Sequence, residues 1–260
     1  MRTGYYWPMF GDQDEVYFSF SPTRATAHVQ TLLDGFEGTL LTDGYTAYER
    51  YTASVNNVTH ALCWVHTRRY FEQALEAEPD LANHGLDIIA GLYAHEAKIK
   101  ERQLTGEKKQ VYRAEHSKAL VDYFFTWCAS LVDKPDLVAS ESPIIEAVKY
   151  ALHREKGLRV FLQDPDLPLD TNHVERTLRV MPMGRKNWIF SWTELGAHYV
   201  GIIQTLLCSC KLQGVDPYTY LVDVLQRVGQ HPAKEVDVLT PRLWKEQFAK
   251  NPLQSDLDKF

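Results

Sequence analysis

The sequence predicts an α/β fold that is interrupted by a block of helices. Aromatic and β-branched residues at 4–11 and 15–21 flank a turn-forming run of Gly and Asp and predict a β-hairpin. Short apolar segments at 38–44 and 58–66 predict two further strands, and residues 28–36 predict a short helix before them. The resulting order, β-β-α-β-α-β, is typical of a sheet with helices on its faces.

From Arg68 onward, apolar residues recur at the three- and four-residue spacing of helices. Helices are predicted at 68–78, 81–104, 109–132 and 142–162, then around Glu175, at 194–213, and after Asp216-Pro217. We interpret the block before Glu175 as an insertion. The predicted division is 1–75 for the first part of the sheet domain, 76–165 for the insertion, 166–213 for the second part, and 214–260 for C-terminal helices and a polar tail.

Composition excludes several classes of protein. A chain of 260 residues with 45% hydrophobic content can bury a core, and its net charge of -6 argues against a uniformly basic nucleic-acid binder. The four cysteines form no disulfide framework, which favours a reduced, cytoplasmic setting, and no segment predicts a membrane span. Motifs of P-loop nucleotidases, dinucleotide-binding dehydrogenases and G-x-S-x-G hydrolases are missing.

Two acidic residues in different settings are the candidate catalytic groups. Asp43 follows the predicted strand at 38–42, at the edge where open α/β sheets place ligands, although Asp-Gly can also simply form a turn. Glu175 lies on a helix that begins at Asp170 or Thr171, and its alternative role is a surface ion pair with Arg179. Carboxylates brought together from separate elements are suited to divalent cations that act on phosphate.

Other polar residues surround these two in the sequence. Cys63 and His66 form a C-x-x-H element, but zinc would need two more ligands, so a supporting role for a buried cysteine and histidine is the commoner outcome. Arg68 and Arg69 are either solvated or in contact with a DNA backbone. A Gly-containing turn is predicted to present two further phosphate-contacting residues, Arg185 and Lys186, beside the aromatic side chain of Trp188.

Five segments resemble, in this order, the transposases of the insertion sequence 66 family: 5–12, 18–51, 63–75, 169–191 and 211–228. The resemblance implies a ribonuclease-H-like mixed sheet interrupted by an all-helical insertion and followed by C-terminal helices. It also implies a DDE-type catalytic domain that cuts and joins DNA at insertion-sequence terminal repeats with two Mg²⁺ ions. The expected setting is the bacterial cytoplasm, and the intact transposase is expected to be a homo-oligomer.

Under this resemblance, Asp43 corresponds to the second catalytic aspartate and Glu175 to the catalytic glutamate, and both are expected to bind metal. Cys63 and His66 match a C-x-x-H element of the family, and Asn172 and Trp188 match the surroundings of the glutamate. Contacts to DNA are expected from the nearby basic residues Arg176, Arg185 and Lys186.

The sequence departs from the family pattern at its start. The first catalytic aspartate of the family belongs on an opening strand ahead of Gly4, and that strand is missing here. Asp12 and Asp14 lie in the predicted hairpin turn and are not expected to replace it. The chain is therefore expected to be a C-terminal catalytic portion with little activity alone. A non-catalytic DNA-binding or assembly remnant and a metal-dependent nuclease are the alternatives.

Overall fold

The computed structural model describes residues 3–133, 141–188 and 191–259, which divide into two compact units. The terminal unit contains Met1–Arg24 and Val174–Phe260, and the central unit contains Ala25–His173. The fold is mixed α/β and mostly helical. No helix in the described part of the chain combines the length and apolarity needed to cross a membrane.

The elements follow in chain order. The described strands are β1 (Tyr5–Phe10), β2 (Val16–Ser21), β3 (Gly38–Thr42) and β4 (Val58–Leu62). The described α-helices are α1 (Thr26–Leu32), α2 (Thr46–Ser54), α3 (Trp64–Gln73), α4 (Pro79–Glu101), α5 (Gly106–Tyr112), α6 (Lys118–Val132), α7 (Pro143–His153), α8 (Glu155–Leu158), α9 (Asn172–Leu178), α10 (Val180–Trp188), α11 (Glu194–Leu212), α12 (Pro217–Arg227) and α13 (Pro241–Gln247).

The terminal unit is built on the β1–β2 hairpin, which is antiparallel with Tyr5 opposite Ser21 and Phe10 opposite Val16. Helix α11 covers the outer edge of β2. The backbone N–H of Val16 donates to the Ser209 hydroxyl at 3.2 Å, and that of Phe18 donates to the Thr205 hydroxyl at 3.0 Å. Hydroxyl groups of a helix thus satisfy strand N–H groups that would otherwise be open to another strand.

A buried carboxylate organises the C-terminal part of the terminal unit. Asp223 on α12 is fully buried and accepts hydrogen bonds from the Arg227 guanidinium, the Trp244 indole at 2.9 Å and the backbone N–H of Leu253 at 2.6 Å. Burial works to raise the pKa of Asp223, but these hydrogen bonds outweigh burial and hold the pKa below its ordinary value. The polar tail, for which the sequence predicts no fold, is therefore tied to α12.

The central unit combines a parallel β3–β4 pair with the helices from α1 to α8. The two strands are in register from Gly38 opposite Val58 to Thr42 opposite Leu62, so both end at the same edge. The main hydrophobic core contains Trp64, Phe71 and Phe124, which are all fully buried. The start of α3 is consequently fixed in the core directly after β4.

Several predicted elements are confirmed: the hairpin, the strand that precedes Asp43, the α/β order, and the helices that begin near 81, 194 and 217. The segment predicted as one helix at 109–132 is instead divided by a π-helical turn, Arg113–Ser117. The predicted turn around Arg185 and Lys186 is wrong, because the backbone is helical in α10. Pro182 does not prevent this, since it lies in the first turn of the helix, where no intrahelical N–H bond is lost.

The described strands form two two-stranded sheets, one in each unit, where the sequence predicts a single mixed sheet. In the terminal unit, the hydroxyl groups of α11 occupy the edge of β2 at which a neighbouring strand would pair. The ribonuclease-H-like arrangement and the four-segment domain division stay predictions. The described residues show a mixed α/β chain with a large helical region.

Candidate functional site

Asp43 lies directly after β3 at the edge where the parallel strands end. Its Oδ1 accepts the backbone N–H of Tyr45 at 3.0 Å, so the Asp-Gly turn predicted as the simpler alternative is present. The side chain is nevertheless exposed, and its Oδ2 has no hydrogen-bond partner among the residues that the structure describes. The turn thus fixes one oxygen of the carboxylate and leaves the other available to a ligand.

Thr42, the residue before Asp43, connects the end of β3 to neighbouring residues through its hydroxyl group. The Thr42 hydroxyl contacts the Nε2 of His60 at 2.8 Å and accepts the N–H of Gly44 at 3.2 Å. The Nδ1 of His60 contacts the Thr52 hydroxyl on α2 at 3.2 Å. Burial lowers the pKa of His60, while the neighbouring charges of Glu49 and Asp43 oppose that change and Arg154 assists it. His60 is therefore a neutral bridge between β3, β4 and α2 at neutral pH.

Cys63 connects the strand that carries Asp43 to the segment that leads to Glu175. Its backbone N–H donates to the Thr42 carbonyl at 3.1 Å. Its sulfur accepts both the backbone N–H and the hydroxyl of Thr171, each at 3.3 Å. Burial raises the pKa of the Cys63 thiol, which keeps it protonated at neutral pH despite these hydrogen bonds. These contacts are compatible with a supporting role for Cys63, which stays a prediction.

The helix that carries Glu175 begins as predicted. Asp170 accepts the backbone N–H of Asn172 at 2.9 Å and its side-chain amide at 2.7 Å, and α9 starts at Asn172. Glu175 is half-buried in the first turn of α9, where the helix dipole favours a carboxylate. Asn172 and Glu175 are three residues apart on this helix and share a face. Asp43 belongs to the central unit and Glu175 to the terminal unit, so their pairing stays a prediction.

A buried arginine of the helical region holds the segment that precedes α9. Arg113 is fully buried and uses all five of its N–H donors. Two donate to the Glu96 carboxylate at 2.8 Å each, and the others donate to the carbonyls of Phe161 at 2.7 Å and of Asp164 and Leu167 at 3.0 Å. The stretch from 161 to 167 is therefore fixed by the helices of the predicted insertion.

Trp64, which follows Cys63, makes further hydrogen bonds to the segment that precedes α9. The Trp64 indole donates to the Leu158 carbonyl at 2.9 Å, and its backbone N–H donates to the Leu169 carbonyl at 3.1 Å. The Tyr93 hydroxyl of α4 is buried, and burial together with the nearby Asp170 charge raises the pKa of Tyr93. The segment that precedes α9 is thus held by α3, α4 and the π-helical turn.

The predicted DNA-contacting residues are only partly described. Arg68 and Arg69 are exposed on α3, where Arg68 pairs with Glu72 at 3.0 Å, and Arg176 is exposed on α9. The side chains of Arg185, Lys186 and Trp188 lie outside the described residues. His66 is half-buried in the first turn of α3. No cluster of three metal-binding side chains is found within the described ranges.

Residues of α7 that the sequence did not single out lie beside Asp43. Gly44 has a φ of +82°, and a Cβ placed on it would lie 3.2 Å from both the Arg154 Nε and the Tyr150 hydroxyl. Burial raises the pKa of Tyr150 to about 12; the charge of Arg154 works against this, and Asp43 adds to it. Burial, followed by the Asp43 charge, also raises the pKa of Tyr48. No sequence signal marks Arg154, because it occupies an ordinary polar position near the end of an amphipathic helix.

A family described as Transposase IS66 family matches residues 1–199, and one described as IS66 C-terminal element matches residues 205–241. The chain belongs to the IS66 transposase family. No solved structure matches this IS66 family chain significantly.

Curated relatives of the IS66 family chain come from Sinorhizobium fredii (strain NBRC 101917 / NGR234). Uncharacterized protein y4hP is 30% identical over 90% of this chain and 44% of its own length. Uncharacterized protein y4qI is 32% identical over 87% of this chain and 42% of its own length. Uncharacterized protein y4jD is 31% identical over 88% of this chain and 46% of its own length. The chain thus spans less than half the length of the curated relatives it matches.

Proposed function

We propose that this chain supplies part of the catalytic domain of a DNA transposase, with Asp43 and Glu175 as ligands of divalent metal. The observation that carries the proposal is the attachment at Cys63. This residue bonds to Thr42, directly before Asp43, and to Thr171, four residues before Glu175. A buried hydrogen-bonded link of this kind fixes the backbone directly before Asp43 and directly before α9, and metal-dependent phosphoryl transfer requires firmly held ligands.

The donor chemistry of these residues suits Mg²⁺. Asp43 presents an exposed carboxylate oxygen without a hydrogen-bond partner among the described residues, and hard cations prefer such oxygens. A bound Mg²⁺ pair would supply Lewis-acid activation of a water or 3′-hydroxyl and neutralise charge on the phosphodiester. Asp43 and Glu175 would hold the metal, while Arg176 and the basic residues of α3 and α10 would orient the DNA backbone.

DNA carrying insertion-sequence terminal repeats is the proposed substrate, and the active form is proposed to be a homo-oligomer. The IS66 family membership supports both parts of the proposal. Because the family pattern calls for a third carboxylate that is not assigned in this chain, we propose that its activity alone is low. Two carboxylates hold a pair of divalent cations less firmly than three.

A strand-cleavage assay tests the proposal. A duplex that contains the terminal repeats flanking the gene is incubated with Mg²⁺ or Mn²⁺ and with wild type, Asp43→Asn, Glu175→Gln or Asp34→Asn. Asp34 is an exposed carboxylate in the loop after α1 and provides the matched control. We expect slow, metal-dependent cleavage that falls at least about tenfold in the first two variants and is unchanged in the third.

Each outcome bears on a different part of the proposal. Efficient cleavage that survives Asp43→Asn would contradict the metal assignment. Efficient cleavage that is lost in Asp43→Asn would support that assignment and contradict the proposed low activity. Cleavage of arbitrary DNA at the same rate would identify a general nuclease instead.

A further inference from the structure

Arg154, at the end of α7, lies beside the candidate catalytic aspartate. The Gly44 backbone, directly after Asp43, packs so closely against it that an added Cβ would be 3.2 Å from the Arg154 Nε. The charges of Glu49, Arg154 and Asp43 all affect the pKa of the nearby His60. A guanidinium is therefore part of the immediate surroundings of Asp43, although it comes from the helical region of the chain.

Aromatic stacking fixes the orientation of the Arg154 guanidinium. It lies over the Tyr150 ring, 4.0 Å from the ring centroid, and Tyr150 in turn stacks on Tyr70 with centroids 3.9 Å apart. One N–H group donates to the Glu49 Oε1 at 3.0 Å. A planar cation held between a ring and a carboxylate loses little further freedom when it binds a ligand.

The hydrogen-bonding capacity of Arg154 is largely unused. Of its five N–H groups, only the one directed at Glu49 has a hydrogen-bond partner within residues 3–133, 141–188 and 191–259. The Nε–H group is buried, so a ligand would bind to the terminal nitrogens of the guanidinium. Arg113 and Arg159 make more hydrogen bonds than Arg154 does. Arg113 uses all five donors, and Arg159, which also lies over an aromatic ring, pairs with both Glu155 at 2.7 Å and Asp122 at 2.6 Å.

We propose that Arg154 contacts a phosphate of the DNA backbone next to the metal-binding carboxylate Asp43. The planar donors of arginine suit phosphate oxygens, and two exposed lysines close to Arg154 in the sequence, Lys149 and Lys156, add positive charge to a chain that is acidic overall. Glu49 holds the guanidinium in place when DNA is not bound. The proposal rests on the function proposed above, because it assumes DNA as the ligand at Asp43.

The salt dependence of DNA binding tests this assignment. Fluorescence anisotropy with a labelled terminal-repeat duplex, in Ca²⁺ and across a range of NaCl concentrations, compares wild type with Arg154→Gln, Arg154→Lys and Glu49→Gln. Arg159→Gln is the matched control, since it removes a similar ring-stacked arginine that is paired with two carboxylates. Thermal unfolding of each variant is measured in parallel to identify any loss of folded protein.

For Arg154→Gln we expect weaker binding and a reduction of about one in the slope of log K against log salt concentration. Arg154→Lys retains the slope and loses part of the affinity, because an ammonium keeps the charge without the planar donors. Glu49→Gln binds as tightly as wild type or more tightly, and Arg159→Gln matches wild type. An unchanged slope in Arg154→Gln, or an equal change in Arg159→Gln, would contradict the assignment.

Metal binding separates this proposal from the one on which it rests. Mn²⁺ binding that is lost in Asp43→Asn but DNA binding that is unaffected in Arg154→Gln would leave the proposed function supported and overturn the role of Arg154. Absence of DNA binding by wild type would contradict both.

Discussion

The Cys63 sulfur accepts two hydrogen bonds from Thr171, one from its backbone N–H and one from its hydroxyl, each at 3.3 Å. The same cysteine donates its backbone N–H to Thr42. This arrangement gives the C-x-x-H element a structural explanation. The cysteine connects the end of β3, directly before Asp43, to Thr171, directly before α9, and we interpret this contact as a supporting role.

We predict that Thr171→Val destabilises the central unit by about 0.5–1.5 kcal/mol, because it removes one hydrogen bond to Cys63 while preserving side-chain size. The free energy of unfolding in urea provides the measurement. Thr31→Val, which changes an exposed threonine of α1, is the control and is expected to have a smaller effect. An equal loss in both variants would contradict the importance of the Cys63 contact.

All four cysteines are buried and unpaired by disulfides, and burial raises the pKa of each thiol. We predict that none reacts rapidly with a thiol reagent at pH 7 in the native protein and that all react once it is unfolded in urea. The absorbance change on reaction with a disulfide reagent reports this directly. Rapid labelling of Cys63 in the folded protein would contradict the described link to Thr171.

Arg113 is predicted to be a major contributor to the stability of the central unit. Arg113→Met leaves Glu96 and three backbone carbonyls without donors, so we expect a loss of about 3–5 kcal/mol in the free energy of unfolding. Arg68→Met, which removes only an exposed pair with Glu72, is expected to cost at most about 1 kcal/mol. Equal effects in chemical denaturation would show that the five-donor arrangement does not stabilise the segment before α9.

His60 gives a pH dependence with a defined sign. Its folded-state pKa lies below the ordinary value of 6.5, so its contribution to stability is complete above that pH and is lost as pH falls towards the folded-state pKa. An NMR titration of the His60 ring should give a pKa below 6.5 in wild type. Glu49→Gln should lower the pKa of His60 further, and Arg154→Gln should raise it. A wild-type pKa above 6.5 would contradict the interpretation of His60 as a buried, neutral bridge.

The local elements around the site were predictable from the sequence. The apolar run before Asp43 predicts its strand, and Asp170 and Thr171 predict the start of the helix that carries Glu175, because both signals depend on neighbouring residues only. The turn at Asp43 was also foreseen as an alternative, and the structure gives the turn together with an available oxygen.

Other features depend on contacts that no local pattern encodes. Arg113 and Arg154 occupy similar polar positions in helical sequences, yet one is fully buried with five bonds and the other keeps unused donors beside Asp43. The helical backbone around Arg185 was mispredicted as a turn because Pro182 and Gly184 favour turns unless they fit a helix start. The hydrogen bonds between β2 and α11 likewise join residues 193 and 187 positions apart in the chain.

The central proposal is that Asp43 and Glu175 are ligands of divalent metal, and Mn²⁺ binding measured by electron paramagnetic resonance tests it most directly. We predict that Asp43→Asn and Glu175→Gln each weaken Mn²⁺ binding by at least about tenfold, while Asp34→Asn binds like wild type. Mn²⁺ affinity that is the same in wild type, Asp43→Asn and Glu175→Gln would contradict the account.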